Sequence, residues 1–361
     1  MRFQVAPYLF LSLALGLAGC EEDNVQPTGG SQDQNEYTGA KTRFAFGSCM
    51  EEDLDKDVLG QALDTNPDFF IFLGDNIYAD TEDMDEMQAK YDKLAADPYF
   101  KRLKQSGIPV MATWDDHDYG ANDAGLEYPM KQESKEIFLD FWGEPADSER
   151  RTREGIYTAY TYEVEGKVIQ IIMLDTRWFR GELVERLDSY EGGKNDYQPT
   201  EDTSQTFLGE TQWAWLEQEF MKQADLRIIG SSQQFGHSYN GYESWTLFPH
   251  EQQRMIDLIK STKANGVLFI SGDVHWGEIN KRSHKGMYDL WDVTSSGINE
   301  KWFFWEDSDY RVGAVVKAFN FGYLDIEWDH ADPVIRMGIV DNDPETDDVT
   351  AATTLGALQF P

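Results

Sequence analysis

Leu73-Gly74-Asp75-Asn76-Ile77-Tyr78-Ala79-Asp80 is the stretch where the apolar run of residues 68–73 passes abruptly into polar side chains. This pattern predicts a buried β-strand that ends at a loop. Gly74 lets the backbone turn tightly there, and Asp75 and Tyr78 add a carboxylate and a phenol at the carboxyl end of the strand. The loop is therefore a candidate metal site, although a strand followed by an Asx turn would have the same sequence.

Three further apolar runs end in side chains that bind metals. Residues 43–49 end in a thiol, residues 108–118 end in carboxylates around an imidazole, and residues 266–275 end in Asp and His. Open α/β sheets bind their ligands outside the carboxyl ends of their strands. Four such strand ends predict an α/β fold with a metal-centred active site at one edge of the sheet.

The spacing of apolar residues also predicts how the first strands are connected. Residues 54–63 have apolar positions at helical spacing and lie between two strand-like runs. We therefore expect a β-α-β unit, with the strands of Cys49 and Asp75 parallel and close together. Residues 84–105 predict one further helix before the next strand.

Later segments predict a hairpin, a lid and a tail. Residues 155–175 alternate as a hairpin with Gly166 at its turn. The long polar loop of residues 181–207 is expected to cover the site, and residues 342–361 are expected to form a peripheral acidic tail.

The first nineteen residues are typical of a signal peptide. Arg2 precedes a short apolar segment, 3–17, that ends in small residues. Leu17-Ala-Gly-Cys20 resembles a bacterial lipobox, in which cleavage leaves a lipidated Cys20; an ordinary cleaved signal is the alternative. Residues 20–40 contain few apolar side chains, so we expect a flexible tether between the lipid and a domain over residues 41–341.

These features predict a lipoprotein of the cell envelope, anchored in the lipid bilayer at the outer membrane or cell surface of a Gram-negative bacterium. The acidic residues that follow Cys20 resemble surface-export signals, although a solvated linker would have the same composition. If Cys20 carries lipid, Cys49 has no disulfide partner, because the chain has only 2 cysteines. Cys49 is then either a buried, inert thiol or a metal thiolate, and a metal better explains its survival in an oxidising compartment.

The composition limits the kinds of molecule that the chain is expected to bind. The formal net charge of −35 over 361 residues would repel phosphate backbones, so we do not expect nucleic-acid binding. The same acidity favours solubility in salt or binding of divalent cations.

Five motifs occur in the order that is found in the PhoD-like branch of the metallophosphoesterases, which the chain resembles from about Arg43 to about Val340. They are Phe46-Gly-Ser-Cys49, Leu73-Gly-Asp-Asn-Ile-Tyr78, Thr113-Trp-Asp-Asp-His-Asp118, Leu174-Asp-Thr-Arg177 and Ser271-Gly-Asp-Val-His275. The resemblance implies a four-layer αββα sandwich with mixed sheets. It also implies hydrolysis of phosphate esters at two or more metal ions, with Fe³⁺ and Ca²⁺ the expected pair.

The resemblance also implies a ligand set. The first metal would be held by Cys49, Asp75, Tyr78 and His275, and the second by Asp75, Asp116, Asp273 and Asn122. Thiolate and phenolate suit Fe³⁺, whereas carboxylate and amide oxygens suit Ca²⁺, Mg²⁺ or Mn²⁺. Related phosphoesterases usually have Asn at the place of Asp116 and His at that of Asp273, so the second site is all oxygen here. Adjacent side chains at a strand end face opposite ways, which leaves Asp115 open as the alternative to Asp116.

Four other side chains are candidates for contact with the substrate. His117 is interpreted as a phosphate contact or as the acid for the departing oxygen, with a structural histidine bonded to Asp118 as the alternative. Arg177 and Arg180 are candidates for binding phosphate oxygens, with surface salt bridges as the alternative. Gln234 follows another strand-like run and is a possible ligand or an ordinary core-edge glutamine.

Two functions fit these observations. The first is a surface-anchored phosphohydrolase that cleaves phosphate monoesters or diesters by in-line attack of a metal-bound hydroxide, with Arg177 stabilising the developing charge. The alternative is an acidic calcium-binding surface or adhesion lipoprotein without catalysis, for which the acidity alone would suffice.

Overall fold

The computed structural model describes residues 39–186, 196–343 and 348–361. The predicted signal peptide, Cys20 and almost all of the predicted tether lie outside the described residues. Among the helices in these ranges, none is both long and apolar enough to cross a bilayer.

Fourteen strands and eight α-helices make up the described domain. The strands are β1 Lys41–Gly47, β2 Phe69–Leu73, β3 Val110–Thr113, β4 Thr158–Val164, β5 Lys167–Met173, β6 Val184–Glu185, β7 Tyr197–Gln198, β8 Leu226–Ser231, β9 Val267–Ser271, β10 Gly277–Arg282, β11 Leu290–Ser295, β12 Asn320–Glu327, β13 Val334–Asp341 and β14 Val349–Thr354. The helices are α1 Asp57–Asp64, α2 Met84–Ala96, α3 Pro98–Ser106, α4 Asp116–Tyr119, α5 Lys131–Phe141, α6 Glu149–Thr152, α7 Gly209–Phe220 and α8 Pro249–Thr262.

Two mixed six-stranded sheets form the centre of the fold. The first has the order β14-β13-β12-β1-β2-β3 and the second the order β10-β11-β9-β8-β5-β4. In the first sheet β1, β2 and β3 are parallel, and in the second β5, β8, β9 and β11 are parallel. Their outer neighbours pair antiparallel.

Strand β2 shows how the layers form, because all five of its residues are buried. Phe69, Ile71 and Leu73 belong to the core that the two sheets share with α7 and α8. Phe70 and Phe72 point the other way, into a second core with α1, α2 and α3. Successive side chains of a strand face opposite sides, so a continuous apolar run is what a strand covered on both faces requires. The predicted four-layer αββα sandwich is confirmed.

The first β-α-β unit and the hairpin are also confirmed. β1 and β2 are parallel, with Phe46 opposite Ile71, and α1 connects them. β4 and β5 pair antiparallel around Glu165 and Gly166, whose φ angles are 51° and 71°. A two-residue loop with two positive φ angles matches the right-handed twist of the strands.

The single helix predicted over residues 84–105 is wrong, because it breaks into α2 and α3 at Asp97. The Asp97 side chain accepts hydrogen bonds from the backbone N–H groups of Tyr99 and Phe100, at 2.8 and 2.9 Å, and so caps the new helix. Pro98 follows at the first position of α3, where its missing N–H costs nothing.

The C-terminal residues are not peripheral, which corrects the predicted tail for the described part, 348–361. β14 pairs antiparallel with β13 and forms the edge of the first sheet. Leu355 and Leu358 pack in the core between the sheets, and the backbone N–H of Gly266 donates to the carbonyl of Leu358 at 2.7 Å. The acidic residues 341–348 had obscured this last strand.

Candidate metal centre

The predicted ligands of the first metal converge where β1, β2 and β9 end. Cys49, Asp75 and His275 offer ligand atoms that all lie within 4.8 Å of one another. The Cys49 Sγ lies 3.4 Å from Asp75 Oδ2. The phenol oxygen of Tyr78 lies 3.2 Å from His275 Nε2. The parallel β1-β2 pair brings the first two loops side by side, and the backbone N–H of Met50 donates to the Asp75 carbonyl at 2.8 Å.

The backbone at this centre is strained. Cys49, Asp75, Asp273 and His275 have φ angles of 59°, 50°, 75° and 57°. This left-handed region is uncommon for residues other than glycine, and such outliers cluster at functional sites. Gly74, at φ 105°, has no room for a side chain, because a Cβ there would lie 2.7 Å from the backbone nitrogen of Asp115.

The electrostatics of these side chains suit a bound cation. Burial, followed by the nearby Asp75 charge, raises the pKa of the Cys49 thiol. Burial, with Cys49 and Asp75 close by, likewise raises the pKa of Tyr78. Burial and the charge of His117 lower the pKa of His275 to about 3, which keeps its imidazole neutral. Asp75 Oδ1 is buried without a hydrogen-bond partner among the described residues, as expected for an oxygen that faces a metal ion.

Carboxylates of three strand ends form the second part of the centre. Asp116 and Asp273 group with Asp115, and Asp116 also groups with Asp75 and His117, each group within 4.8 Å. Asp116 lines the cavity at the centre, together with Asp273 and the exposed Asn122. Burial raises the pKa of Asp273, and the nearby charge of Asp115 raises it further. A cation offsets this repulsion, so the oxygen donors fit a hard metal ion.

Of the two adjacent aspartates, Asp116 is on the cavity wall. Asp115 instead accepts hydrogen bonds from Arg177 Nε at 2.5 Å and from the Ser232 hydroxyl at 2.7 Å. Asp118 holds the two loops together, because its carboxylate accepts from the backbone N–H groups of Asp75, at 3.2 Å, and Asp115, at 2.7 Å.

His117 lines the cavity but does not bond to Asp118. Its Nδ1 lies 2.8 Å from Asp80 Oδ1, and its ring stacks at 4.2 Å against the ring of Tyr78. Burial alone would lower the pKa of His117, but the charges of Asp116 and Asp80 outweigh it and raise the pKa to about 9. The alternative interpretation, a structural histidine bonded to Asp118, is therefore wrong, because His117 bonds to Asp80.

Arg177 and Arg180 lie behind the cavity and do not line it, which differs from their predicted contact with phosphate. Arg177 is fully buried, and its Nη1 and Nη2 atoms each lie 2.7 Å from an oxygen of Glu243, with Nη2 also 3.3 Å from Asp116. Arg180 donates to the backbone carbonyl of Gly181 at 2.8 Å and lies 3.4 Å from Glu243. Both guanidinium groups balance buried carboxylates, and no local pattern in the sequence marks Glu243 as their partner.

Gln234 is not among the residues that line the cavity, which differs from its predicted role as a ligand. Its Nε2 donates to Glu278 at 2.7 Å and to Thr294 at 3.0 Å, and its Oε1 accepts from Asn240. These bonds make it a structural glutamine in a buried polar network.

The cavity at the centre has a volume of about 190 Å³, and the sequence analysis missed half of its wall. The missed residues are Asp123, Asp196, Tyr197, Tyr242, Glu243 and Trp302. Asp123 directly follows the predicted ligand Asn122, and Tyr197 lies in β7, but no local pattern marked the other four as cavity residues. Ser296 was missed too, and its hydroxyl lies 3.1 Å from Cys49 Sγ.

Comparison with known proteins supports the same assignment of family. A family model described as PhoD-like phosphatase matches residues 44–308. Alkaline phosphatase D of Bacillus subtilis (strain 168) is 25% identical over 199 residues, which are 48% of this chain and 32% of the relative. The match thus spans about a third of that curated relative.

Solved structures show the same fold at low sequence identity. A structure titled as that of PhoD aligns with a TM-score of 0.67 and 16% identity, over 87% of this chain and 68% of the other. GAP50 of Plasmodium, described as the anchor in the inner membrane complex, aligns with a TM-score of 0.56 and 14% identity over 89% of each chain. A dimetal phosphatase from Danio rerio aligns at 0.52 and 14% identity, over 89% of this chain and 99% of the other.

Proposed function

The chain belongs to the PhoD-like phosphatase family, whose model matches it over residues 44–308, and we propose that it is a metal-dependent phosphohydrolase that cleaves phosphate monoesters or diesters. The observation that carries this proposal is the convergence of Cys49, Asp75 and His275 with the carboxylates of Asp116 and Asp273 at one cavity.

The proposed metals are Fe³⁺ at the first position and Ca²⁺, or another divalent ion, at the second. Cys49, Asp75, Tyr78 and His275 would hold the first, and Asp75, Asp116, Asp273 and Asn122 the second. Bound metal ions would supply positive charge that polarises the phosphoryl group and helps to activate water.

Two further side chains have other proposed roles: His117 contacts or protonates the substrate, and Arg177 positions the carboxylates. Asp80 holds the His117 ring, and the charges of Asp116 and Asp80 raise the pKa of His117 to about 9. His117 therefore carries a proton on the cavity wall. It is placed to contact a phosphate oxygen or to protonate the departing alcohol. Arg177 fixes the carboxylates of Asp115 and Asp116 from behind, so we assign it a positioning role in place of direct contact with the substrate.

We further propose that the enzyme is anchored to the cell envelope through lipid on Cys20. The support is the sequence alone, namely the lipobox-like Leu17-Ala-Gly-Cys20 and the polar tether that follows. The acidic calcium-binding surface protein remains the second candidate, favoured by the net charge of −35.

An assay on two esters separates the two candidates. The purified chain, stripped by a chelator and then reloaded with iron and calcium, is assayed on p-nitrophenyl phosphate and bis-p-nitrophenyl phosphate. We expect metal-dependent release of nitrophenolate from at least one ester. The Asp75→Asn variant, which removes the shared ligand, should lose this activity. Calcium binding without metal-dependent turnover of either ester would favour the binding protein.

A further inference from the structure

Aromatic side chains line part of the cavity beside the candidate metal ligands. We call Tyr197, Tyr242 and Trp302, with Asp123 and Asp196, the outer wall. The rings of Tyr242 and Trp302 lie 5.1 Å apart between centroids at an angle of 59°. Trp302 also lies 5.0 Å from the ring of His275, so the aromatic surface begins directly at the metal centre.

The charges around this surface are acidic. Among the described residues that line the cavity, none is Lys or Arg, and the protonated imidazole is that of His117, beside Asp116 and Asp80. Glu243 is balanced by Arg177 and Arg180, which lie behind the wall. The exposed Asp196 supplies a further carboxylate, and Asp123 holds the Tyr197 ring by accepting a hydrogen bond from its hydroxyl at 2.6 Å.

A wall of aromatic faces and carboxylates discriminates between substrates by charge. The face of Trp or Tyr attracts a cation through the ring quadrupole, and nearby carboxylates add to that attraction. An alcohol with extra negative charge is repelled, whereas a neutral alkyl group gains only apolar contact.

We propose that the outer wall binds a substituted ammonium group on the organic part of the substrate, so that choline-type phosphate esters are preferred. This inference rests on the proposed phosphohydrolase function and names the class of ester. The ammonium methyl groups would contact Trp302 and Tyr242 while the phosphate lies toward Asp75 and Asp116.

Two esters of equal shape test the role of charge. p-Nitrophenyl phosphorylcholine and p-nitrophenyl 3,3-dimethylbutyl phosphate have the same leaving group, and they differ in whether nitrogen or carbon carries the three methyl groups. With the metal-loaded full chain we expect kcat/KM to be about tenfold higher for the choline ester. Equal values, or a preference for the neutral ester, would overturn the proposal.

Matched variants locate the effect. Trp302→Leu and Tyr242→Leu should each bring the ratio of the two kcat/KM values toward one, while Trp302→Phe should keep most of it. Trp305→Leu is the control, because the Trp305 ring faces Lys317 Nζ at 3.3 Å and does not line the cavity. If Trp302→Leu and Trp305→Leu change the ratio equally, the outer wall is not the determinant.

A binding experiment separates this proposal from the function on which it rests. Calorimetric titration of the full chain with choline and with 3,3-dimethylbutanol requires no turnover. Binding of choline that Trp302→Leu abolishes would support the outer wall even if no ester were hydrolysed. Turnover of both esters without preference, together with no difference in binding, would keep the phosphohydrolase and reject the outer wall.

Discussion

At the scale of single residues, the metal centre depends on backbone conformations that its side chains do not favour. Cys49, Asp75, Asp273 and His275 all have positive φ, at a cost on the order of 1 kcal/mol or more each. Surrounding bonds hold them there, such as the hydrogen bond of 2.7 Å from the His275 backbone to the Ser296 hydroxyl. The ligands are thus positioned by the fold before a cation binds.

Tyr78 provides a spectroscopic test of the first metal. Phenolate or thiolate bound to Fe³⁺ gives charge-transfer absorption, so the iron-loaded protein should be coloured. We expect Tyr78→Phe to shift or abolish the visible band without changing the far-UV circular dichroism. Tyr157→Phe, a buried tyrosine that contacts Trp215 away from the centre, is the control and should keep the band.

Elemental analysis tests independently whether the first metal is iron. Full turnover by protein that contains zinc or magnesium and no iron would contradict the assignment of Fe³⁺, although a two-metal hydrolase would survive.

Substitution of Arg177 tests whether its charge is needed to stabilise the buried carboxylates around it. Its guanidinium is buried among Asp115, Asp116 and Glu243, and loss of its charge would leave carboxylates uncompensated. We expect Arg177→Met to lower the free energy of unfolding by about 3–5 kcal/mol, measured by urea denaturation. Arg102→Met, at an exposed pair with Asp64, should cost less than about 1 kcal/mol.

Kinetics of the milder Arg177→Lys variant separate positioning from binding. A positioning role predicts a lower kcat with KM changed less than about twofold. A rise in KM of tenfold or more with unchanged kcat would show that Arg177 binds the phosphate itself.

The sequence predicted ligands better than it predicted partners. Cys49, Asp75 and His275 each follow an apolar run, which signals a strand end without knowledge of the fold. The partner of Arg177 is Glu243, and no local pattern connects two residues that far apart in the chain. Charge balance in a buried site is a property of the folded structure, so it was not visible in the sequence.

At the scale of elements, predictions succeeded where apolar runs and turn residues agreed. The parallel β1-β2 pair and the β4-β5 hairpin are both bounded by residues suited to their ends. The long helix failed at Asp97-Pro98, where a cap and a proline begin a new helix inside one apolar pattern. β14 was missed because it is an edge strand in which only Val349 is buried, so its sequence shows no apolar run.

Leu358 tests the contribution of this last element. Its side chain is 1% exposed and lies in the core between the sheets. We expect Leu358→Ala to lower the free energy of unfolding by about 2–5 kcal/mol, measured by urea denaturation. Leu126→Ala, at a leucine that is 51% exposed, is the control and should change it by less than about 0.5 kcal/mol. Equal effects of the two substitutions would restore the view of a peripheral tail.

At the scale of the whole molecule, the lipid anchor is the prediction that lies outside the described residues. Cys20→Ser removes the thiol that would carry lipid, so the protein should move from the membrane fraction to the soluble fraction of lysed cells. Cys49→Ser, at the other cysteine, is the control and should leave the fractionation unchanged. If Cys20→Ser fractionates with membranes as the parent does, the lipoprotein assignment is wrong.

The overall architecture was the most predictable property of the chain, and the outer half of its cavity the least. Strand ends with ligand residues place a centre at the edge of an α/β sheet whatever the loops contain. Trp302, Tyr242 and Asp123 reach the cavity from loops whose course depends on tertiary packing. The convergence of ligand-type side chains was therefore predictable from motifs, whereas the outer wall of the cavity required the structure.

The pairing of β1 with β12 affects the order in which the chain can fold during synthesis. β1 pairs on one side with β12, and Arg43 bonds to Asp325, which lies 282 positions later in the chain. The ribosome releases β1 long before this neighbour exists, so its edge stays open through most of synthesis. Asp273 and His275 also emerge late. The candidate metal ligands are therefore incomplete until residue 275 has been made, and the edge of β1 is open to other chains until β12 follows.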